Sequence, residues 1–452
     1  MTKRRDFIKK SAFGTAGIAI GGMGFGSRSY ASIIGANERI NMAVIGCGGR
    51  GGSHVRSWCM LKNDKNVLLK TICDADELRT AEKAKIVEER IGIKPLTEWD
   101  MRRIFDDREI DAVSMATCNH WHALGTIWAC QAGKHVYVEK PACHNVFEGW
   151  KMIEASRKYN VRVQVGSQNR SIINIMEAIK FLHDGGIGNV FMARGICYKP
   201  RDSFGIAKDS EPPATFHYDM WLGPAAWRPY NERHGHYNWH WFWDTGNGDT
   251  GNQGVNEIEI LRWGLNKNEL PVSIFSDGGI YGIDPKECAQ ETPNTHICTF
   301  KYSDGKILEF ETRGRYTNAE SSLDIKIGHM FYGTDGYMEL AAGSGIWKAF
   351  RQREKEPFKG SDEDKSKQDE SGEVGHYVNF IDAIRSGKNE ILHCDINDGF
   401  YSSALPALAN ISYRLGRSLK YNNETKRFVN DPEADKMLTR VYRKPYVVPD
   451  KV

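Results

Sequence analysis

The chain has 452 residues, of which 40% are hydrophobic, 26% are charged and 11% are aromatic, which is enough apolar material for two domains of ordinary size. Its 61 basic and 58 acidic residues are spread along the whole chain and give a net charge of +3. This balance provides no strong field to attract nucleic acid or an anionic membrane, so we expect neither as a partner.

The first 31 residues have the pattern of an export signal. "KRRDFIKK" contains an arginine pair, and the Gly/Ala-rich apolar stretch that follows is short for a membrane span. Ser29 and Ala31 supply the small residues that a signal peptidase needs. We therefore predict a twin-arginine signal peptide over residues 1–31 and a periplasmic protein without stable membrane insertion. An uncleaved anchor or a disordered start is the alternative.

Residues 40–51 have the pattern of a dinucleotide-binding site. The apolar run from Ile40 to Ile45 leads into "GCGGRG" and then into a segment with helical spacing. In this context the glycines allow a tight turn, close approach of a pyrophosphate and close packing of helix on strand, while the helix amides bind phosphate. We predict cofactor contacts from Gly46, Gly48, Gly49, Arg50 and Gly51.

A second predicted strand, "KNVLLKTIC", is followed by Asp74, 23 residues past Gly51. A carboxylate at this place accepts hydrogen bonds from the adenosine ribose and repels a 2′-phosphate, so we expect NAD and regard NADP as less favoured. Asp76 is an alternative for this role. The other interpretation is that both acids simply start the next helix.

Two further buried strands, residues 112–116 and 135–138, are followed by "TCNHWH" and "EKP". Ligands of a doubly wound parallel sheet meet the carboxyl ends of its strands, so these motifs should face the cofactor. We expect cofactor contacts from Thr117, Asn119, His122, Glu139, Lys140 and, in "VQVGSQNRS", Gln168. The sequence thus predicts an NAD-binding Rossmann domain over residues 36–168.

The motifs "GCGGRG", "TCNHWH", "VEKPACHNVFEG" and "VQVGSQNRS" together resemble those of the Gfo/Idh/MocA oxidoreductases. The resemblance implies a Rossmann domain followed by a large open, mainly antiparallel sheet that carries the substrate site and often a dimer or tetramer contact. It also implies that Lys140 is catalytic, with Pro141 holding the preceding peptide as a cis bond or tight turn. Desolvation and a charged nicotinamide would lower the pKa of this lysine, so that it could exchange a proton with a substrate hydroxyl. A surface lysine that starts a loop is the alternative.

The second half of the chain changes to period-two stretches, including a predicted hairpin across Ser303-Asp304-Gly305. We assign residues 169–420 to an α+β substrate and oligomerisation domain, with an exposed charged loop at 351–373, and residues 421–452 to a C-terminal extension. Two amphipathic helices should end at Gly387 and Gly416. The resemblance places such helices near the cofactor domain, so His376 could reach the cleft.

An aromatic stretch lies inside this second domain, where six of the twelve tryptophans fall between Trp221 and Trp263. Aromatic faces stack on the C–H faces of pyranose rings, and His and Asn bond their hydroxyls, so this stretch could bind a sugar or glycoside. The alternative is a loop that packs its own core. Because no i,i+4 His pair lies on a predicted helix, we expect no metal. We predict substrate contacts from Lys140, Tyr218, Trp239, Trp241, Asn252 and Asn256.

The family's usual Asp-x-Gly-x-His-x-x-Asp element aligns with residues 252–259, so the histidine that commonly partners the lysine is Asn256 here. An amide can orient a hydroxyl, but it cannot carry a proton near pH 7. Catalysis then depends on Lys140 with Asn256, or recruits a histidine elsewhere. The sequence leaves three candidates open, namely His122, His240 and His376.

The leading functional hypothesis is an NAD-dependent oxidoreductase that acts on a sugar or sugar derivative. Outside the cytoplasm there is no free NAD pool, so we expect tightly bound NAD that is used in a redox-neutral cycle. The alternative resembles the family's NAD-dependent glycosidases, which oxidise C3 transiently, eliminate the aglycone, add water and return the hydride. That chemistry needs a base near C2, for which Tyr218, Asp219 and His240 are candidates. A third hypothesis is a non-catalytic sugar or NAD sensor, and Asn256 is its only support.

Overall fold

The computed structural model describes residues 38–315, 319–361 and 371–452. The predicted signal peptide lies outside the described residues, so its cleavage and the periplasmic location stay predictions. No helix in the described ranges has the length and apolar character needed to cross a membrane. Ile40–Val452 form one unit that contains two β-sheets.

The first sheet has six parallel strands in the order β3-β2-β1-β4-β5-β6, with helices on both faces. Its strands are β1 Ile40–Ile45, β2 Val67–Cys73, β3 Leu96–Glu98, β4 Ala112–Met115, β5 His135–Glu139 and β6 Val163–Gly166. The helices between them are α1 Gly49–Asp64, α2 Glu77–Ile91, α3 Met101–Asp106, α4 Asn119–Gln131 and α5 Val146–Lys158. The predicted doubly wound Rossmann sheet is confirmed.

Local sequence signals fix the ends of these helices. Asp76 caps α2 by accepting a hydrogen bond from the amide of Leu78, and the helix ends at Gly92 in the left-handed conformation. Asn145 and Glu148 form a capping box at the start of α5. Asp76 is therefore a helix cap, as one of the sequence-based interpretations held.

The second sheet has ten described strands in the order β14-β13-β12-β11-β7-β10-β9-β8-β15-β16. They are β7 Val190–Cys197, β8 Ser273–Gly279, β9 Thr295–Lys301, β10 Ile307–Arg313, β11 Ile327–Gly333, β12 Gly336–Ala341, β13 Trp347–Arg351, β14 Lys359–Gly360, β15 Leu419–Asn422 and β16 Arg427–Phe428. Only β7 and β10 pair in parallel among these strands. The predicted, mainly antiparallel sheet and its β9–β10 hairpin are confirmed.

The remaining helices pack on or near this second sheet, with two exceptions. They are α6 Ile173–His183, α7 Tyr218–Leu222, α8 Gly248–Asn252, α9 Gly254–Gly264, α10 Ser371–Ser386, α11 Ile396–Leu415 and α12 Pro432–Lys436. The first exception is α7, where the Met220 carbonyl accepts a hydrogen bond from Trp121 of α4. The second is α10, whose Tyr377 and Phe380 pack in one core cluster with Met42 and Val44 of β1. One face of the first sheet is therefore completed by chain that lies far downstream.

The predicted loop at 351–373 is only partly a loop. Residues 352–358 are exposed, β14 then pairs with β13, and the chain is already helical from Ser371. Gly387 and Gly416 follow α10 and α11 with φ of 70° and 63°, as their sequence positions predicted. The domain boundaries and the dimer or tetramer stay predictions.

Candidate active site

A cavity of about 270 Å³ lies at the carboxyl ends of β1, β2, β4 and β5. The first part of its wall is the glycine turn after β1. Gly46 has φ of +89°, and a Cβ there would lie 2.6 Å from the carbonyl oxygen of Ala116. A Cβ on Gly51 would lie 1.9 Å from the carbonyl oxygen of Gly46, so Gly51 lets α1 pack on the strand but does not line the cavity.

Helix α1 starts at this turn with Gly48 as N-cap, without a side-chain cap and without an acidic residue in its first turn. Its first amide groups are therefore left for an anion, and the helix dipole favours a phosphate at this end. Gly46, Gly48, Gly49 and Arg50 line the cavity. The predicted pyrophosphate cradle fits a bound dinucleotide.

Asp74 lies at the end of β2 and also lines the cavity. Its carboxylate accepts hydrogen bonds from the amides of Cys47 at 2.6 Å and Asp76 at 2.9 Å, one on each oxygen. Burial raises its pKa, which these two bonds counteract. Each oxygen keeps a free lone pair, so Asp74 can still accept a ribose hydroxyl.

Glu139 is the centre of a buried cluster of charged and polar side chains at the other end of the cavity. Its Oε1 accepts from Arg50 Nε at 2.8 Å, His54 Nε2 at 2.9 Å and Gln168 Nε2 at 3.0 Å. Burial disfavours the carboxylate, but Arg50 and His54 outweigh it and hold the pKa of Glu139 well below its usual range. Arg50 also binds Glu373 of α10 at 2.9 Å. Gln168 lies behind Glu139 and does not line the cavity, so its predicted cofactor contact stays a prediction and its visible role is to hold Glu139.

Lys140 follows β5 and joins the two halves of the molecule. Its Nζ donates a hydrogen bond to the carbonyl oxygen of Asn252, at the end of α8, at 2.7 Å, and its peptide bond to Pro141 is cis, as the resemblance implied. Burial lowers the pKa of Lys140, while Glu139 and Glu257 act in the opposite direction. Lys140 therefore releases its proton more readily than a lysine on the surface does.

Of the three candidate histidines, two lie at the cavity. The ring nitrogens of His122 lie 2.7 Å from the carbonyl oxygen of Pro141 and 3.0 Å from that of Thr117. His122 thus holds the backbone next to Lys140 in place. His240 lines the cavity, stacks on Trp239 at 3.6 Å and binds the Tyr237 carbonyl through Nδ1 at 2.5 Å. That bond places the proton on Nδ1 and leaves Nε2 as an acceptor.

Burial, together with Lys140 and Arg201, lowers the pKa of His240 to about 3. His240 is thus neutral near pH 7. Its ring can orient a hydroxyl, but it cannot take up a second proton at that pH. His376 is different, because it lies outside the cavity between Ser171 Oγ at 2.7 Å and the Val165 carbonyl at 2.9 Å. The prediction that His376 reaches the cleft is wrong, since α10 packs its buried face on the first sheet.

Asn252 lines the cavity, but Asn256 does not. The side chain of Asn256 instead donates to the carbonyl of Gln253 at 3.1 Å, at the start of α9. Tyr218 also lies outside, where its hydroxyl donates to the Arg228 carbonyl at 3.1 Å and its ring stacks on Trp221 at 5.7 Å. The structure therefore does not bring Asn256 and Tyr218 to the cavity wall, and their predicted substrate contacts stay predictions.

The aromatic stretch packs a core of its own and also lines the cavity, and its binding of a sugar stays a prediction. Phe216, Trp221, Leu222, Ala225 and Trp239 form a hydrophobic cluster of their own. Trp221, Tyr237, Trp239 and His240 nevertheless line the cavity as well. Trp241 lines a neighbouring cavity instead. Among the described residues no group of three His, Cys, Asp or Glu could hold a metal ion, and the expected absence of a metal stays a prediction.

Sequence reasoning missed three residues at this site. The guanidinium of Arg79 lies over Gly48, where a Cβ would be 2.8 Å from its Nη1. Trp99 lines the cavity and stacks on His217 at 4.0 Å. Arg79 lies in the first turn of the helix after Asp74, a place that faces the cofactor in this fold, so its position could have been found.

Glu257 is the third missed residue, and it is fully buried on α9. Gln253 Nε2 donates to its Oε1 at 3.3 Å, while Oε2 has no hydrogen-bond partner in the part of the chain that the structure describes. Burial raises the pKa of Glu257 to about 8, which Gln253 and Lys140 partly offset. Its role depends on the contact between the two halves of the protein, and no local pattern signals it.

Comparison with known families agrees with this geometry. Residues 40–167 match the model of an oxidoreductase family with an NAD-binding Rossmann fold, and residues 205–334 and 362–448 match its C-terminal alpha/beta domain. The chain belongs to the Gfo/Idh/MocA oxidoreductase family. The cofactor domain of this family member is thus an NAD-binding Rossmann domain.

Two curated relatives show a division of function within this family. Levoglucosan dehydrogenase of Pseudarthrobacter phenanthrenivorans is 31% identical over 163 residues, which cover 35% of this chain and 40% of that protein. Alpha-N-acetylgalactosaminidase of Shewanella oneidensis is 28% identical over 172 residues, which cover 34% of this chain and 37% of that protein. The chain thus matches less than half the length of either relative.

A solved structure supports the whole fold. The WlbA dehydrogenase from Bordetella pertussis, in complex with NADH and UDP-GlcNAcA, aligns with a TM-score of 0.61 at 19% identity, over 85% of this chain and 99% of that one. At this identity the likeness establishes the common two-domain fold.

Proposed function

We propose that the protein oxidises a hydroxyl-bearing carbon of a sugar or sugar derivative with NAD that stays bound. The observation that carries this proposal is the position of Lys140, which is half-buried at the cofactor end of β5 and hydrogen-bonded at 2.7 Å to the backbone of α8 in the other half of the protein. Levoglucosan dehydrogenase and WlbA, to which the chain is similar, support a carbohydrate as the substrate class.

The residues around the cavity divide the work of such a reaction. The lowered pKa of Lys140, caused by burial, makes its amine a proton acceptor for the hydroxyl that is oxidised. Bound NAD would supply the hydride acceptor. His240 keeps a neutral ring, so its Nε2 can accept a hydrogen bond from a second hydroxyl and orient the sugar. In this scheme His240 fills the positioning role of the family's histidine, and Lys140 alone moves the proton.

Contacts over the adenosine half of the cavity support the retention of NAD. The segment that contains Phe216 and His217 crosses the carboxyl end of β2. There the amide of His217 donates a hydrogen bond to the Ala75 carbonyl at 2.8 Å. His217 also pairs with Glu77 at 2.6 Å and stacks on Trp99 at 4.0 Å. These contacts would slow the release of a dinucleotide from the adenosine half, and slow release suits an exported enzyme in a redox-neutral cycle. The periplasmic location is part of this proposal.

The first test uses two substitutions of Lys140 in protein purified without added NAD. Lys140→Met removes the amine, whereas Lys140→Arg keeps a cation that cannot release its proton near neutral pH. Both should lower the rate of cofactor reduction by about 10²- to 10⁴-fold across a panel of sugars, while bound NAD remains stoichiometric. The wild-type rate should rise with pH and level off below the usual lysine pKa, because burial favours the neutral amine.

Lys180→Met is the matched control, because its side chain is 74% exposed and lies far from the cavity in a surface pair with Asp184. It should change neither rate nor NAD content. Wild-type rates in the Lys140→Met protein would refute the assigned role of Lys140.

A redox-neutral glycosidase is the second candidate. Of the three residues considered as a base near C2, only His240 lines the cavity, and its pKa of about 3 makes it a weak base near pH 7. Asp219 instead pairs with Arg443 and Tyr446 of the C-terminal segment. Similarity to the Shewanella enzyme is what favours this candidate. Aryl glycosides in deuterated water decide between the two: aglycone release with deuterium at C2 identifies a glycosidase, and a keto-sugar with reduced cofactor identifies a dehydrogenase. The sensor hypothesis rested on Asn256, which lies outside the cavity, so we do not propose it.

A further inference from the structure

A second cavity, of about 200 Å³, lies beside the cofactor and substrate cavity. The short helical turn Asn238–Trp241 separates the two. Trp239 and His240 line the first cavity, Asn238 and Trp241 line the second, and Tyr237 lines both. A substrate beside Lys140 would therefore have to pass Tyr237 to enter the second cavity.

The second cavity has a built polar floor. Asp249, which is 2% exposed, accepts from Arg201 Nε at 3.1 Å and Nη2 at 2.7 Å. The Arg201 guanidinium lies 5.0 Å above the centre of the Trp241 ring, and its Nη1 lies 3.3 Å from the Tyr237 hydroxyl oxygen. These contacts fix the orientation of both aromatic rings before a ligand arrives.

The same floor is connected to the catalytic lysine. Asn252 Nδ2 lies 3.4 Å from Asp249 Oδ1, and the carbonyl oxygen of Asn252 accepts the hydrogen bond from Lys140 at 2.7 Å. Residues Asp249 to Asn252 belong to one helix, α8, so the two cavities keep a fixed distance from each other.

The charges of the second cavity indicate what it binds. Arg201 is paired with Asp249, and Asp202, at the exposed rim, is paired with Arg315 at 2.8 Å. The guanidinium of the lining is thus already compensated by a carboxylate, which disfavours a phosphate, a uronate or a nucleotide. Aromatic rings from Phe204, Tyr237 and Trp241, together with the amides of Asn238 and Gln290, are the residue types that bind the C–H groups and hydroxyls of a neutral sugar ring.

We propose that the second cavity is a subsite for a second, neutral sugar ring, and that the substrate is a glycoside of at least two rings whose first ring is oxidised beside Lys140. This inference rests on the proposed function for the placement of the first ring. Binding of the second ring, in contrast, can be measured without turnover.

The test is calorimetric titration of the NAD-loaded Lys140→Met protein, which cannot turn over. Probes are a panel of neutral disaccharides, the methyl glycosides of their first rings, the matching aryl glycosides and a UDP-hexose. At least one disaccharide should bind tenfold or more tightly than its methyl glycoside. Asn238→Trp, which fills the cavity, should remove this gain, and Asp202→Trp at an exposed rim position should reduce it if the first variant does not fold.

Lys286→Trp is the control for added bulk, since Lys286 is exposed on the neighbouring loop and lines neither cavity. Equal affinity for disaccharides and methyl glycosides, or a gain that survives Asn238→Trp and Asp202→Trp, would overturn the proposal. A gain seen only with aryl glycosides or only with the UDP-hexose would overturn the assignment to a neutral sugar. If no sugar reduces the cofactor in the wild type but the disaccharide gain is present, the proposed oxidation fails and the subsite stands.

Discussion

Two neighbouring glycines of α1 provide a sharp test of the cofactor site. In Gly51→Ala the new methyl carbon would lie 1.9 Å from the carbonyl oxygen of Gly46. Because ordinary contacts between such atoms are longer by more than about 1 Å, the start of α1 must move away from β1. In Gly52→Ala the nearest atom is Lys83 Cε at 3.5 Å, an ordinary contact at the end of a flexible side chain.

The expected effects have opposite signs. Overpacking against backbone costs about 1–3 kcal/mol or more, so Gly51→Ala should lower the free energy of unfolding by roughly 3 kcal/mol. It should also weaken NAD binding at least about tenfold, since the phosphate-binding amides move with the helix. Gly52→Ala should raise stability by about 0.5–1 kcal/mol, because alanine loses less entropy than glycine inside a helix, and NAD binding should not change.

Thermal unfolding of the apo and NAD-loaded proteins, with cofactor content measured after gel filtration, checks both variants. Equal NAD content and stability in the two variants would refute the argument that the Gly46–Gly51 approach builds the cradle.

Two further predictions concern cofactor release and a buried acid. Trp99→Ala and His217→Ala remove contacts over the adenosine half and should raise the dissociation rate of NAD about tenfold. Wild-type protein recovered from a periplasmic fraction should carry stoichiometric NAD. The same dissociation rate in all three proteins would contradict retention by these contacts. Burial raises the pKa of Glu257 to about 8 in the folded protein, against an ordinary value of 4.5. Between these two pH values the folded protein holds this proton and the unfolded chain does not. The free energy of unfolding should therefore fall by about 1.4 kcal/mol per pH unit in this range. Glu257→Gln should remove that slope in denaturant titrations from pH 5 to 8, and an unchanged slope would show that another group causes it.

The first half of the site was predictable because its signals are local. Gly46, Asp74 and Lys140 each follow a strand, and the ends of parallel strands meet at one edge of the sheet. Their identity and their shared cavity therefore followed from the order of strands and turns. His122 belongs to the motif that follows β4, although its two carbonyl partners could not be inferred from spacing.

The second half was less predictable because its residues depend on contacts across the two sheets. Asn256 aligns with a histidine that commonly partners the lysine, yet its side chain turns to the Gln253 carbonyl. His376 lies on the helix that was expected, but the buried face of that helix packs on the first sheet. The choice of His240 needed the fold of the Trp239 turn, which no periodicity in the sequence describes.

Helix α10 has a consequence for how the protein is made. It supplies Tyr377 and Phe380 to the core beneath β1, and Glu373 to the arginine of the glycine turn. During synthesis the first sheet would keep an apolar face open until more than four fifths of the chain has left the ribosome. We therefore expect that residues 40–167 alone do not bind the dinucleotide, and that a nearly complete chain is needed to capture it.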